Sequence, residues 1–165
     1  MNILKNLKNK FFFKGIIYSL SITLFVFILD RWTKTSIINA QIMNESFYIN
    51  DYLNYDLVWN TGISFGLFSQ NANIYYHMIS FLISIVIIFL CYLIVKANFT
   101  EKLLFSLVLG GALGNFYDRI FYFAVPDFID IHINDFHWFT LNIADIFITT
   151  GIILLISKDL IFNKK

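Results

Sequence analysis

Four long runs of apolar residues dominate the chain and predict four membrane-spanning helices. They cover residues 15–37, 74–95, 102–121 and 139–157, each close to the roughly 20 residues that cross a bilayer core. Only residues 96–101 separate the second run from the third, so those two helices are predicted to be antiparallel neighbours. The segment 46–68 alternates apolar residues with Asn-rich turns, which indicates short strands at the membrane interface. The predicted fold class is therefore an all-α membrane protein with a few outer strands, in a single domain of residues 1–165.

Composition excludes an ordinary soluble globule and gives no sign of nucleic-acid binding. Of the 165 residues 58% are hydrophobic and 14% charged, and the mean hydropathy is +0.69. The net charge is only +1, and no basic stripe occurs. The basic start of the chain resembles a secretory signal, but no small-residue cleavage site follows and the apolar run is long. We therefore expect a retained first helix. Cys91 is the single cysteine, so no intramolecular disulfide can form.

Lysine and arginine residues predict the orientation of the helices. They precede the first run, flank the short loop and follow the last run, at Lys5, Lys8, Lys10, Lys14, Lys96, Lys102, Lys158, Lys164 and Lys165. No basic residue lies between Lys34 and Lys96 or between Arg119 and Lys158. Because cytoplasmic flanks are rich in basic residues, both termini are predicted to be cytoplasmic and both long loops to face outward.

Ionisable residues inside the predicted spans are the first functional candidates, because charge is costly in a bilayer. They are Asp30, Arg31, Lys34, Asp118, Arg119 and Asp145. With the predicted orientation, the three carboxylates lie near the outer ends of their helices. Asp127, in the loop before the fourth helix, is tethered near the same layer. We therefore expect four carboxylates at one depth, with the amides of Asn115 and Asn142 nearby.

Two interpretations of these carboxylates stay open. Asp30 and Lys34 are four residues apart and could form an ion pair on one helix, and Arg119 could reach lipid headgroups. Alternatively, two neighbouring carboxylates could share a proton, because both cannot ionise side by side in a low-dielectric site. Such a pair can hydrolyse an amide without a metal. The residues alone do not decide whether Asp118 or Asp127 belongs to that pair.

Two other motifs compete with this hypothesis. Residues 62–66 match G-x-S-x-G, which would make Ser64 a nucleophile, but that motif requires a strand, turn and helix in a soluble α/β sheet. His132 and His137 share a loop with three aspartates, Asp127, Asp130 and Asp135. Their spacing fits no zinc motif and no H-E-x-x-H occurs, so we interpret them as ordinary interfacial histidines.

Five blocks of the sequence, in order, resemble the lipoprotein signal peptidase family, also called signal peptidase II. They are LDRWTK at 29–34, NTGISF at 60–65, GGALGNFYDR at 110–119, VPDFID at 125–130 and LNIAD at 141–145. The third block is the most specific. The glycines in it, Gly110, Gly111 and Gly114, also suit close helix packing.

The resemblance implies a bacterial inner-membrane aspartic endopeptidase that cleaves the signal peptide from prolipoproteins, just before a cysteine that carries diacylglycerol. It implies a catalytic dyad of Asp127 and Asp145, with no metal and no cofactor. Substrate-binding or supporting roles fall on Asn60, Gly114, Asn115, Arg119, Asn142, Asp30, Lys34 and Asp118. The outer strands would form a small extracytoplasmic β-cradle over the site. The implied partners are the lipid-modified prolipoprotein, membrane phospholipid and cyclic peptide inhibitors of the globomycin type, and the expected state is a monomer.

Three residues depart from the family pattern. Pro126 directly precedes Asp127, where the family more often has an apolar residue with a backbone donor, and Ile63 and Ser64 replace residues that are usually alanine. Proline removes an N–H but leaves the neighbouring carboxylate untouched. The alternative function is a non-enzymatic four-helix membrane protein that binds a cation through its outer acidic residues.

Overall fold

Four helices and four strands make up the part of the chain that the computed structural model describes, residues 2–42, 47–61, 72–134 and 136–162. In chain order the elements are α1 (Asn2–Ile42), β1 (Phe47–Asn50), β2 (Leu53–Asn60), α2 (Ala72–Lys96), α3 (Phe99–Phe121), β3 (Val125–Ile133), β4 (Phe136–Leu141) and α4 (Ile143–Phe162). Residues 62–66, with the G-x-S-x-G match at Ser64, lie outside the described residues, as does Asp135.

The helices of the described residues agree with the four predicted runs in number and order, but one boundary was wrong. The first helix spans 41 residues, Asn2–Ile42, and contains the predicted run 15–37. The fourth begins at Ile143 rather than at residue 139, because Phe139 and Leu141 belong to β4 and pair with β3. Two helices contain stretches long and apolar enough to cross a membrane, Phe11–Ala40 and Tyr76–Lys96. The four-span prediction therefore receives partial support.

The strands form one antiparallel sheet in the order β1-β2-β3-β4. The sequence predicted strands only within residues 46–68, so β3 and β4 were missed. Apolar and polar residues alternate in β3 only over residues 129–133, because Pro126 and Asp127 break the pattern at its start, and this left a short strand signal. Pro126 is tolerated because the β4 pairing begins at Ile129, so at Pro126 the strand is paired with β2 only.

Helix α3 is packed closely against both α1 and α4, and glycines make this possible. A Cβ atom on Gly110 would lie 2.7 Å from Val26 Cβ of α1, and one on Gly111 would lie 2.5 Å from the Ala144 carbonyl oxygen of α4. Small residues at such positions let helix backbones approach. The functional side chains on α1, α3 and α4 are thereby brought within hydrogen-bonding distance of one another.

Basic residues meet at the end of the bundle where α2 ends and α3 begins. Asn98 caps α3 by accepting from the Glu101 N–H, and Glu101 also pairs with Lys158 of α4. The buried Lys102 donates to the carbonyl oxygens of Ile94 and Val95, which closes the last turn of α2. This end is held by its own polar contacts.

We expect Gly111→Ala to lower the free energy of unfolding by about 1–3 kcal/mol, because the new methyl would meet backbone that cannot rotate away. The measurement is thermal or denaturant unfolding in detergent. Gly15→Ala is the matched control, since its Cβ would meet Lys102 Cδ at 3.1 Å, within a flexible side chain. Equal stability of Gly111→Ala and the wild type would contradict the close contact of α3 with α4.

Candidate active site

Asp127 and Asp145 are joined through a single residue, Asn142, whose side chain is fully buried. Asn142 Nδ2 donates to Asp127 Oδ1 at 2.5 Å. Asn142 Oδ1 accepts from the Asp145 backbone N–H at 3.0 Å, and the Asn142 N–H donates to Asp145 Oδ2 at 3.2 Å. A carboxylate from β3 and one from α4 are therefore held in a fixed relation.

The local sequence around Asn142 explains how Asp145 is positioned. Asn142 immediately precedes α4 and Asp145 is the third residue of that helix, so their reciprocal bonds form a capping box with aspartate in place of glutamate. A motif that normally only starts a helix here also orients a carboxylate.

Amide donors complete the surroundings of both carboxylates. Asn60 Nδ2 donates to Asp127 Oδ2 at 2.8 Å, and Asn115 Nδ2 donates to Asp145 Oδ1 at 2.8 Å. Within the described residues, no cation lies within ion-pairing distance of either carboxylate. Burial raises the pKa of Asp127 to about 6; the Asn60 hydrogen bond opposes this rise and the nearby Asp145 charge adds to it.

The other two carboxylates of this layer, Asp30 and Asp118, are neutralised by cations. Lys34 Nζ lies 2.9 Å from Asp30 Oδ2 and 2.7 Å from Asp118 Oδ2, and all three side chains are fully buried. Arg31 joins them, with Nη2 at 3.1 Å from Asp30 Oδ2 and Nη1 at 2.5 Å from Asp118 Oδ1. Two negative and two positive charges thus form a compact cluster without net charge.

Asn115 connects this ion cluster with Asp145. Its Oδ1 accepts from Lys34 Nζ at 2.8 Å while its Nδ2 donates to Asp145, so the lysine fixes which way the amide faces. Asp30 Oδ1 accepts from the Ala144 N–H at 3.0 Å and thereby also caps α4. Gly114 leaves room for Asp30, because a Cβ there would lie 2.5 Å from Asp30 Oδ2. The ion cluster supports the first turn of α4, which carries Asp145.

Arg119 is buried without a full set of partners among the described residues. Its guanidinium lies 5.5 Å from the centre of the Tyr76 ring, and Nε and Nη1 have no hydrogen-bond acceptor there. Buried donors of this kind are uncommon in folded proteins and mark positions where a ligand can supply the acceptor. The suggested contact with lipid headgroups is not seen, since the side chain is buried.

The structure separates carboxylates that the sequence could not. Asp118 belongs to the ion cluster with Lys34 and Arg31, whereas Asp127 approaches Asp145 through Asn142. Sequence reasoning assigned Arg31 no partner, although its position next to Asp30 was a usable signal. Every residue that the resemblance named for the site is described, and all lie in or beside these two connected groups except Arg119, which lies on the last turn of α3.

Comparison with known proteins agrees with this architecture. A family model described as signal peptidase (SPase) II matches residues 22–161. The lipoprotein signal peptidase of Pelagibacter ubique (strain HTCC1062) is 47% identical over 159 residues, which are 95% of this chain and 96% of that protein. The lipoprotein signal peptidase of Francisella tularensis subsp. mediasiatica (strain FSC147) is 44% identical over 73% of this chain and 78% of its own. A solved structure described as a bacterial membrane enzyme has a TM-score of 0.73 at 33% identity, covering 87% of this chain and 93% of that one.

The protein is an integral membrane protein of the peptidase class. This follows from its apolar helices and small sheet together with the proteins that it resembles. Within that class the chain belongs to the signal peptidase II family. The resemblance noted in the five sequence blocks is thereby confirmed.

Proposed function

We propose that the protein is an aspartic endopeptidase that removes the signal peptide from diacylglyceryl-modified prolipoproteins by cutting before the lipidated cysteine. The observation that carries this proposal is the pair Asp127 and Asp145, which is held by Asn142 and whose hydrogen-bond partners among the described residues are amides and not cations. Such surroundings suit two carboxylates that share one proton. The substrate class follows from the name of the two relatives, lipoprotein signal peptidase.

In this mechanism Asp127 holds the proton and Asp145 is ionised. Asp145 takes a proton from water, whose oxygen attacks the scissile carbonyl carbon, while Asp127 gives its proton to the carbonyl oxygen. When the tetrahedral intermediate collapses, the C–N bond breaks, Asp145 passes its proton to the leaving amine and Asp127 recovers the proton of the hydroxyl. Arg119 Nε and Nη1, which have no acceptor among the described residues, can hold a substrate carbonyl.

The proposed orientation follows from the two ends of the molecule. Lys96, Lys102 and Lys158 lie at the end where α2 stops, and the carboxylate pair lies at the opposite end of α3 beside the sheet. The positive-inside rule then gives cytoplasmic termini in the bacterial inner membrane, with the site near the outer face. Two acyl chains cannot leave the bilayer cheaply, so a scissile bond next to them stays at that depth.

All four helices cross the membrane in this proposal. At 1.5 Å per residue, the 23 residues of α3 and the 20 residues of α4 measure roughly 35 Å and 30 Å, enough for the hydrocarbon core. Their polar residues lower their hydropathy, but Asp118 is neutralised within the ion cluster and Lys158 pairs with Glu101. Polar groups in spans are expected to face such partners.

The direct experiment is cleavage of a prolipoprotein by the purified protein in detergent, with EDTA present. We expect the diacylglyceryl-modified substrate to be cut before the modified cysteine and the unmodified precursor to remain intact. Mass spectrometry of the products locates the cleaved bond. Equal cleavage of both substrates would refute the lipid requirement, and no cleavage by well-folded protein would favour the cation-binding alternative.

The pKa of Asp127 predicts the dependence of cleavage on pH. Because the mechanism needs protonated Asp127, we expect kcat/KM to be highest on the acid side of about pH 6 and to fall as the pH rises through that value. The Asn60 hydrogen bond favours the ionised form, so Asn60→Ala should move the falling limb to higher pH. The measurement is initial rate against pH at low substrate concentration.

A second asparagine of the same sheet serves as the control for this shift. Asn50→Ala removes an amide that accepts from the Tyr52 N–H and has no contact with Asp127. We expect its pH profile to coincide with that of the wild type. An Asn60→Ala limb that stays in place, or moves to lower pH, would argue against protonated Asp127 as the acid.

A further inference from the structure

A second cluster of metal-binding side chains lies on the sheet, formed by Asp130, His132 and His137. One ligand atom from each residue lies within 4.8 Å of the others. Asp130 Oδ2 is 2.7 Å from His137 Nδ1 and 3.5 Å from His132 Nδ1. Ligands bound to one tetrahedral Zn²⁺ are roughly 3.4 Å apart, given bonds of about 2.1 Å. Only small side-chain rotations are needed to place the three atoms around one ion.

The strand pairing explains why these three residues meet. Asp130 and His132 are two apart on β3 and share a face of the strand, and His137 of β4 is paired directly with His132. Their rings stack at a centroid distance of 5.3 Å. The irregularity that follows Ile131 puts an extra residue in β4, so β3 itself stays regular.

Hydrogen bonding within the described residues leaves this cluster incomplete. The Asp130–His137 contact accounts for one bond, but His132 Nδ1 and Asp130 Oδ1 are buried with no hydrogen-bond partner. His132 is only 5% exposed, and its Nδ1 faces Asp130. Buried polar atoms without a partner are rare, and binding of an ion is one recognised way to satisfy them.

Asn54 on β2 is placed to fix the required tautomer of His132. Its Nδ2 lies 3.4 Å from His132 Nε2, and its Oδ1 is buried with no hydrogen-bond partner in the described part of the chain. If the Asn54 side-chain amide is rotated by about 180°, Oδ1 and Nδ2 exchange places. Oδ1 then accepts a hydrogen bond from His132 Nε2–H, so that both groups have a partner. The proton then resides on Nε2, and Nδ1 keeps a lone pair for a metal. Partners of this kind orient histidine ligands in metal sites.

We propose that Asp130, His132 and His137 form a binding site for one divalent transition-metal ion of the Zn²⁺ type. Two imidazoles and one carboxylate suit Zn²⁺, Cu²⁺ or Ni²⁺ better than Mg²⁺ or Ca²⁺, which prefer oxygen. The His137 side chain is 60% exposed and gives the ion a route of entry, with a fourth position open to water. The histidines that sequence spacing left as ordinary interfacial residues thereby gain a common role.

This site is separate from the peptidase pair. Asp127 and Asp130 are three residues apart on the regular strand β3, so their side chains point to opposite faces of the sheet. Metal bound there would join β3 to β4, the strand that leads directly into Asn142 and α4. We therefore expect it to stabilise the hairpin and to leave the chemistry at Asp127 and Asp145 metal-independent.

Zn²⁺ titration of the purified full-length protein, with any affinity tag removed, tests the proposal. We expect one ion per chain by calorimetry, and at least about tenfold weaker binding in His132→Ala and in His137→Ala. His77→Ala is the matched control, because His77 is the one other histidine of the sequence and lies on α2, away from the proposed site. It should bind like the wild type, and all three variants should still cleave prolipoprotein.

The overturning results are equally definite. Absence of stoichiometric binding to the wild type would refute the site, as would affinity that is unchanged in both His132→Ala and His137→Ala. If His132→Ala does not fold, Asn54→Leu provides a second test, since it removes only the partner that sets the tautomer and should weaken Zn²⁺ binding. Cleavage by the wild type is measured separately, so failure of metal binding leaves the proposed peptidase activity untouched.

Discussion

Asp127→Asn and Asp145→Asn should each lower kcat/KM for prolipoprotein cleavage by on the order of 10³-fold or more. Asparagine preserves the size of each side chain and one of its two accepted hydrogen bonds, but it can neither take a proton from water nor give one to the carbonyl oxygen. Both variants should remain folded, because neither carboxylate belongs to an ion pair of the described residues. The measurement is cleavage of the diacylglyceryl-modified substrate in detergent, with unfolding followed in parallel.

Asp56→Asn is the control for these two variants. Asp56 is an exposed carboxylate of β2, in the same sheet as Asp127, and should be neutral in both assays. Normal turnover by either Asp127→Asn or Asp145→Asn would show that the pair is not the catalytic dyad. Loss of folding in both would instead assign the carboxylates a structural role.

Periodicity and charge placement predicted the helical part of the fold because lipid-facing helices require long apolar runs. The length of the apolar run misplaced the start of α4. Phe139 and Leu141 continue that run, but they belong to β4 and pair with Ile131 and Ile129 of β3. Strand β3 was missed because Pro126 and Asp127 interrupt its start, so that only residues 129–133 alternate apolar with polar positions and the strand signal is short. Pairing between strands distant in sequence decides such cases, and a single sequence contains little information about it.

The sequence likewise predicted only part of the candidate site. Depth in the bilayer brought Asp30, Asp118 and Asp145 to one layer, and the family resemblance was needed to select Asp127. To select Asp127 from physical arguments alone, one must know which carboxylates form ion pairs with cations. That depends on how α1 is rotated about its axis relative to α3. Once Lys34 is known to contact Asp30 and Asp118 together, Asp127 and Asp145 remain as the carboxylates with amide partners.

Lys34→Met should lower the free energy of unfolding by about 3–5 kcal/mol, the second large effect we expect. Lys34 is fully buried and supplies one of the two positive charges for Asp30 and Asp118, so its loss leaves a buried negative charge uncompensated. Cleavage should fall as well, since Asn115 loses the ammonium that orients its amide toward Asp145. Denaturant unfolding in detergent measures the first effect, and Lys96→Met, at an exposed position ending α2, is the control.

Removing one negative charge together with the lysine distinguishes charge compensation from simple loss of packing. In Lys34→Met with Asp118→Asn, Arg31 still faces Asp30, and the cluster returns to one positive and one negative charge. We therefore expect the double variant to be more stable than the sum of the two single effects, by an interaction energy of about 1–3 kcal/mol. Additive effects would mean that Lys34 acts through its volume alone. A stable double variant that still cleaves poorly would assign the remaining defect to Asn115, whose contact with Lys34 is the part that neutralising Asp118 cannot restore.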